Sequence, residues 1–171
     1  MMLLIFSVLL SPALGWLNDW DQQLNFHCVL EREYIFRLQS IHDNHREDRR
    51  WDFTCRTVPY EAWLSHCDTS DWINSYKGRI NFRCPSTRPY ISGLYSLHNN
   101  DHEDRRWRVR CCNSPGACRT DCRWTDNINE YDREMDYTVP DGYVLSGLRS
   151  SFDGHRNDRR WQLYICRWSS C

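Results

Sequence analysis

The chain lacks several features that point to other classes of protein. After residue 15, no apolar run approaches the roughly 20 residues that a membrane-spanning helix needs. No segment keeps the 3.6-residue periodicity of an amphipathic helix over a useful length. A Gly-x-Ser-x-Gly nucleophile elbow is missing, and so are the paired Cys-x-x-Cys units that are typical of structural zinc sites. These absences argue against a helical membrane protein, a serine hydrolase and a zinc-finger protein.

The chain also lacks an excess of charge of either sign. Its formal net charge is −1 at pH 7, which argues against nucleic acid as a partner. Positive charge is only local: residues 46–50 contain three arginines and two carboxylates, and residues 156–160 contain three arginines and one carboxylate. A sulfated glycan would therefore need these segments gathered on one face, and its binding would weaken with salt.

The first fifteen residues are uncharged and apolar, and they end in the small-x-small sequence Ala13-Leu14-Gly15. This pattern is typical of a secretory signal peptide that is cut before Trp16, although the usual basic segment at its start is missing. We therefore expect a signal peptide over residues 1–15, a single domain over residues 16–171, and a secreted protein without membrane insertion. An uncleaved membrane anchor is the alternative.

The main feature that the chain does contain is a repeat. The tetrapeptide Asp-Arg-Arg-Trp occurs three times and ends at Trp51, Trp107 and Trp161. Other positions agree at fixed offsets; thirteen residues before these tryptophans lie Leu38, Leu94 and Leu148. Three copies of one supersecondary unit predict a threefold array over about residues 16–60, 61–117 and 118–171, rather than an enzyme built around one cleft.

The pattern around each motif predicts β-strands. Trp51, Phe53 and Cys55 alternate with polar residues, and a period of two over six residues indicates a half-buried strand. The preceding segments are predicted to be its pairing strands: Tyr34–Ile41, Tyr90–Leu97 and Tyr143–Ser150. Residues 114–123, which contain Pro115-Gly116, are interpreted as a disulfide-tied connector. The predicted fold class is all-β with little helix, three related units with pseudo-threefold symmetry, and a β-prism or trefoil arrangement.

Ten cysteines behind a signal peptide predict five disulfides. Cys28 and Cys55 keep the same offsets from their motif tryptophan as Cys84 and Cys111, and the third repeat has other residues at both positions. A joint loss is expected of a bonded pair, because one half left alone would be a free thiol. We therefore pair Cys28 with Cys55 and Cys84 with Cys111.

The other cysteines follow the same logic. Cys112 and Cys166 both lie five residues after their motif tryptophan, and Cys67 and Cys122 precede them by 45 and 44 residues. Equivalent bonds between Cys67 and Cys112 and between Cys122 and Cys166 are predicted. This leaves one further pair, Cys118 with Cys171.

The motif has a structural and a binding interpretation. In the first, the aspartate braces the turn, one arginine pairs with it and the other stacks on the tryptophan. Strand parity places Arg49 on the face of Trp51 and Arg50 on the opposite face. In the second, three equivalent loops offer arginine, histidine and an aromatic face to sugars, sulfate or phosphate. The candidate ligand-binding residues are Arg49, Arg50, Trp51, Arg105, Arg106, Trp107, Arg159, Arg160, Trp161, His45 and His155.

Loop histidines suggest an alternative in a different class. His42 and His98 share an offset, as do His45 and His155, and such histidines near aspartates would suit a metal-dependent binding or hydrolytic protein. The third repeat has Phe152 in place of one of them, and the histidines lie in a loop rather than on a helix face. We therefore assign no metal ligand, no cofactor and no catalytic residue, since every cysteine also has a proposed bonding partner.

Together, the Asp-Arg-x-Trp repeats, the cysteine after each strand, the opening Trp16–Asp21 and the acidic segment Tyr131–Tyr137 resemble the dermatopontin family. Within it, the chain is most similar to the invertebrate haemagglutinin/amebocyte aggregation factor branch. The resemblance implies a secreted, non-enzymatic protein that binds cell-surface or matrix glycans and proteoglycans and agglutinates cells; self-association in a structural matrix is the alternative. It also implies tyrosine sulfation, which transfers only to Tyr131 and Tyr137.

Overall fold

A computed structural model describes residues 15–58 and 66–171. The signal-peptide prediction concerns residues 1–15, of which 1–14 lie outside the described residues. The described part of the chain contains eleven strands and no helix, so the all-β prediction is confirmed. It follows that no helix long and apolar enough to cross a membrane is found there. The prism or trefoil arrangement and the pseudo-threefold symmetry stay predictions.

Each repeat contributes short strands and one long hairpin. The strands are β1 (Leu24–His27), β2 (Glu33–Asp43), β3 (Asp48–Thr57), β4 (Cys67–Thr69), β5 (Ile80–Arg83), β6 (Tyr90–Asn99), β7 (Asp104–Cys112), β8 (Ala117–Trp124), β9 (Met135–Thr138), β10 (Tyr143–Asp153) and β11 (Asp158–Ser170).

The long hairpins are β2–β3, β6–β7 and β10–β11, and the Asp-Arg-Arg-Trp motif opens the second strand of each. The predicted pairing strands are therefore confirmed. Each hairpin also has a register shift at the same place, just after a buried aliphatic residue of its first strand. These shifts lie between Ile35 and Arg37, Ile91 and Gly93, and Leu145 and Gly147.

Three sheets form because each hairpin takes an edge strand from another repeat. The first sheet has the order β3-β2-β9, the second β1-β6-β7-β4 and the third β5-β10-β11-β8. Strand β1 thus joins the hairpin of repeat 2, β5 joins that of repeat 3, and β9 returns to that of repeat 1. No repeat completes its own sheet, so the three repeats depend on one another for their backbone hydrogen bonds.

The connector interpretation of residues 114–123 is wrong for most of that segment. Residues Ala117–Trp124 form β8, which pairs antiparallel with β11 at the edge of the third sheet. The turn signal of Pro115-Gly116 is real, since Gly116 has φ 78°. It marks only the entry to the strand, because the polar residues that follow it alternate along an exposed sheet edge.

The structure contains five disulfides, and they are the pairs that the repeat offsets predict. The bonds are Cys28–Cys55, Cys67–Cys112, Cys84–Cys111, Cys118–Cys171 and Cys122–Cys166. None of the ten cysteines is free. Two of the bonds start from β8 and end in β11 or at the residue that follows it, which ties the last edge strand to the sheet.

The core lies between the three sheets, whose central strands β2, β6 and β10 contact one another. Its centre is the three motif tryptophans, Trp51, Trp107 and Trp161. Their ring centroids are 5.0, 5.6 and 5.2 Å apart, and every pair meets edge to face, which is a favoured aromatic geometry. Each tryptophan is at most 3% exposed.

Gly147 shows how closely a donated strand approaches its hairpin. A Cβ atom at this position would lie 2.5 Å from the carbonyl oxygen of Phe82 and 3.1 Å from the Cα atom of Arg83. We expect Gly147→Ala to lower the free energy of unfolding by about 1–3 kcal/mol, because the backbone of β5 must move. Urea denaturation would be compared with Gly154→Ala, where a Cβ meets nothing within 4 Å. Equal losses in the two variants would contradict the expectation.

Candidate functional site

The first arginine of each motif is buried and binds the motif aspartate of another repeat. Each guanidinium donates from Nε and Nη2 to the two carboxylate oxygens at 2.6–2.7 Å. All six side chains are at most 5% exposed. The pairs are Arg49–Asp158, Arg105–Asp48 and Arg159–Asp104.

These three ion pairs close a ring, because repeat 1 binds repeat 3, repeat 2 binds repeat 1 and repeat 3 binds repeat 2. The expectation that an arginine pairs with the aspartate of its own motif is therefore wrong. The two residues are adjacent on one strand, and adjacent side chains point to opposite faces. A planar two-bond contact is easier to make with a residue of the adjoining repeat. The ring links the repeats in addition to the exchanged strands.

A buried asparagine holds the backbone of each motif. Asn18 accepts a hydrogen bond from the backbone N–H of Trp51 at 2.9 Å and donates to the carbonyl of Arg49 at 3.1 Å. Asn74 and Asn129 make the same two contacts in the other repeats. Sequence reasoning missed these residues, although they lie 33, 33 and 32 residues before the motif tryptophans.

The motif aspartate also braces a turn, as its structural interpretation predicted. Asp48 accepts a hydrogen bond at 2.8 Å from the backbone N–H of Asp21, a residue held at φ 61°. The equivalent donors in the other repeats are the backbone N–H groups of Lys77 and Asp132. Each aspartate thus joins a turn of its own repeat to the arginine of another.

The second arginine of each motif lies on the outer face of the hairpin, over an aromatic ring from the start of its repeat. We call these three places the outer arginine sites. Their members are Arg50 over Trp20 at 4.7 Å, Arg106 over Trp72 at 4.4 Å and Tyr76 at 5.2 Å, and Arg160 over Tyr131 at 4.7 Å. The predicted stacking on the motif tryptophan is wrong, because that ring faces the core.

The outer arginine sites differ in their acidic neighbours. Arg50 binds Asp19, and the pKa of this carboxyl is lowered by the backbone N–H of Trp20 and then by Arg50. Arg160 lies 3.6 Å from Glu130. Arg106 has no ion pair with any residue that the structure describes. The second site therefore carries the least compensated cation of the three.

Burial divides the residues that the sequence marked as ligand-binding. Arg49, Trp51 and their equivalents are covered, so a ligand arriving at the surface meets Arg50, Arg106 and Arg160 instead. His45 and His155 lie exposed at hairpin tips, where their backbone N–H groups donate to Asp43 and Asp153 at 2.9 Å. Ligand binding by any of these residues stays a prediction.

His42 and His98 are not exposed loop residues; both side chains are 1% exposed. The Nε2 atom of His42 lies 4.0 Å from Asp158, and that of His98 lies 3.8 Å from Asp48. Each therefore joins two aspartates in a group of metal-type ligands. Both buried carboxylates already bind a guanidinium, however, so a metal ion would have to compete with an arginine at each group.

The two sulfation candidates have different surroundings. The ring of Tyr131 lies under Arg160 and, at 5.4 Å, under Arg156. Tyr137 packs against the core cluster, and burial raises the pKa of its hydroxyl. A sulfate on Tyr131 would lie near cations, whereas a sulfate on Tyr137 would be attached to a partly buried side chain. Sulfation of either residue stays a prediction.

The motifs and the asparagines that hold them span residues 18–161, and a comparison with known families covers the same part of the chain. The model of the family described as Dermatopontin matches residues 18–171, which include all three motifs. The chain belongs to the dermatopontin family. The resemblance inferred from the motifs is thus confirmed, and all six residues of the ion-pair ring of this dermatopontin chain lie within the matched range.

Several dermatopontin relatives match this chain over most of its length. It is 41% identical to the hemagglutinin/amebocyte aggregation factor of Limulus polyphemus, over 99% of this chain and 96% of that protein. It is 35% identical to Millepora cytotoxin-1 of Millepora dichotoma, over 92% and 68%. It is 31% identical to the dermatopontin of Biomphalaria glabrata, over 90% and 100%. No solved structure matches the chain.

Proposed function

We propose that this protein is a secreted adhesion and agglutination protein that binds cell-surface or matrix glycans through its outer arginine sites. The observation that carries the proposal is the threefold recurrence of an outward arginine held over an aromatic ring. The first arginine of each motif is buried in an ion pair between repeats. Only the second arginine is therefore placed to meet a ligand. The role is one of binding, with no catalytic group assigned.

The chemistry of the outer arginine sites suits sugars. A guanidinium binds sulfate or carboxylate through two parallel hydrogen bonds, and an aromatic ring packs against the apolar face of a sugar. Trp72, beside Arg106, is 38% exposed, so part of its ring is open to a ligand. The stacked arrangement also holds each arginine in place, which reduces the entropy lost on binding.

Three sites on one chain explain how weak binding would bridge cells. Once one site is bound, the others act at a high effective concentration, so avidity exceeds the affinity of any single site. The relative from Limulus polyphemus is named a hemagglutinin and aggregation factor, in keeping with such bridging. Five disulfides are typical of proteins in oxidising compartments, which supports secretion.

The proposal predicts that the triple variant Arg50→Gln/Arg106→Gln/Arg160→Gln loses agglutination. Each substitution removes a bidentate cation from the outer face and leaves the buried ring of ion pairs intact. Erythrocyte agglutination titres would be compared with the wild type, and we expect at least about a tenfold loss, because avidity multiplies the weakening of each site.

A matched control carries Arg32→Gln, Arg123→Gln and Arg167→Gln. These exposed arginines lie towards the open ends of the hairpins, so the control loses the same charge without touching the motifs. Wild-type agglutination by a folded triple motif variant would contradict the proposal. An equal loss in both variants would point to net charge rather than to these sites.

A further inference from the structure

The third sheet carries an open groove. It has a volume of about 440 Å³, within the range of small-molecule sites, whereas the cavity above the motif tryptophans has only about 30 Å³. A row of three side chains across β5, β10 and β11 lies in it: Asn81, Arg149 and Gln162. Arg79, Arg160 and Asn127 are also in the lining, which contains no carboxylate. We call it the third-sheet groove.

Two substitutions between the repeats explain why the groove is open. Ser151 pairs with Arg160 across the hairpin, and the same position holds Ile41 in the first hairpin and Leu97 in the second. Asn127 lies directly before Ile128, whose backbone N–H donates to the carbonyl of Trp161. In the other repeats the residue directly before the equivalent donor is Trp16 or Trp72. Two bulky apolar side chains are thus replaced by small polar ones in this sheet alone.

Charge distinguishes the same groove. Arg79 is exposed and has no ion pair or hydrogen bond to another described residue. Arg149 uses Nε to bind Gln162 at 2.8 Å and stacks on Trp124 at 4.6 Å, and its two terminal nitrogens have no hydrogen-bond partner among the described residues. These contacts hold the guanidinium in position while its remaining donors stay available.

The first sheet has the opposite charge at equivalent positions. Its row across β9, β2 and β3 is Asp136, Gln39 and Asp52, and Glu134 stands where the third sheet has Arg79. The carboxylate of Asp136 is held by Arg37 at 2.7 Å, and this contact lowers the pKa of Asp136. The first sheet would therefore repel an anionic ligand. Of these two sheets, only the third has a cationic surface at this position.

We propose that the third-sheet groove binds a saccharide that carries an oxyanion, either sulfate or carboxylate. Arg79 and Arg149 supply fork-shaped donors for the oxyanion, and the amides of Asn81 and Asn127 offer donors and acceptors for sugar hydroxyls. The amide of Gln162 holds Arg149 in place and donates to the carbonyl of Thr125. This inference rests on the proposed glycan-binding function and deepens it. The three outer arginine sites provide multivalency, and the third-sheet groove selects anionic sugars at one place per chain.

Two kinds of variant test the groove. Arg79→Gln/Arg149→Gln removes two of the three cations in the lining and keeps the groove open. Ser151→Leu fills the groove with the residue of the second hairpin and retains its charge. Asn127→Trp, which introduces the residue of the second repeat in the same way, gives an independent filled variant. Calorimetry would measure binding of a sulfated heparin-type tetrasaccharide, a hyaluronan tetrasaccharide that carries only carboxylates, and inorganic sulfate.

We expect the charge variant and the filled variants each to weaken saccharide binding at least about tenfold. Salt should weaken wild-type binding more than that of the charge variant. The control Arg32→Gln/Arg167→Gln loses the same charge elsewhere and should bind as the wild type does. The saccharide whose affinity falls identifies the oxyanion; inorganic sulfate binding as tightly as the saccharides would show that no sugar contact exists and would overturn the proposal.

Unchanged affinity in folded Ser151→Leu and Asn127→Trp would also overturn it. The outcome is separable from that of the outer arginine sites because neither Arg79 nor Arg149 belongs to a motif. The motif variant for this comparison is Arg50→Gln/Arg106→Gln, which leaves Arg160 in the lining of the groove. If the motif variant loses agglutination and the groove variants bind the saccharides normally, the groove proposal is rejected and the proposed function is kept. If the motif variant agglutinates normally and the groove variants lose saccharide binding, the groove proposal is kept and binding by the outer arginine sites is rejected.

Discussion

Replacing Arg105 with leucine will lower the free energy of unfolding by about 3–5 kcal/mol, because it leaves the buried carboxylate of Asp48 without its cation. Arg105 also donates to Ser96 and to the backbone carbonyl of Gln22, each at 3.0 Å. These acceptors lose their partner in the same substitution. The effect should be similar for the equivalent arginines, because each closes one contact of the same ring.

Urea denaturation of the oxidised protein would measure this loss. Arg106→Leu is the matched control, since it removes a neighbouring arginine that lies on the outer face. It should cost no more than about 1 kcal/mol, because it loses the stacking over Trp72 and Tyr76 and no ion pair with a described residue. The double variant Asp48→Leu/Arg105→Leu should recover part of the loss, because two apolar side chains leave no charge buried alone. Equal stabilities of Arg105→Leu and Arg106→Leu would contradict a structural role for the ring.

Complete reduction of the five disulfides will unfold the protein at about 37 °C. The bonds close loops of 27 to 53 residues, and chain entropy assigns about 3–4 kcal/mol to each loop of this size. Their sum is comparable to or larger than the roughly 5–15 kcal/mol by which a typical domain is stable.

Near-UV circular dichroism of the buried motif tryptophans reports this unfolding, and alkylation followed by mass measurement confirms that all ten cysteines are reduced. The control Cys118→Ser/Cys171→Ser removes one bond between two exposed cysteines at the end of the chain. It should retain the tryptophan signal. A fully alkylated chain with an unchanged signal would show that packing alone maintains the fold.

Internal repetition made much of this fold predictable. Alternation after each motif predicted β3, β7 and β11, and the offsets of Cys28 and Cys55 predicted their bond because a pair is retained or lost together. The strand β8 was missed because Pro115-Gly116 is a strong turn signal and the polar residues after it pair along a sheet edge. Asn18 and its equivalents recur at nearly fixed offsets from the motif tryptophans. They were missed because recurrence of an asparagine does not show which backbone groups it contacts.

The candidate site was less predictable than the fold. Strand parity correctly put Arg49 inside and Arg50 outside, since side chains alternate along a strand. It did not reveal that the buried arginine binds Asp158, 109 residues away. Nor did it reveal that the outer arginine stacks on Trp20, because both contacts depend on which segment lies alongside. The third-sheet groove was likewise not apparent, since small side chains open a cavity only when their neighbours are known.

Local pattern and repetition were thus enough to establish the six strands of the long hairpins, the disulfide pairs and membership of the dermatopontin family. These properties depend on spacing along the chain, where a period of two or a shared offset is directly visible. The exchange of strands between repeats, the ring of arginine–aspartate pairs and the groove beside Arg149 emerged only from the folded chain. They depend on contacts between repeats, and the distance between two such residues in space is not encoded in their separation along the chain.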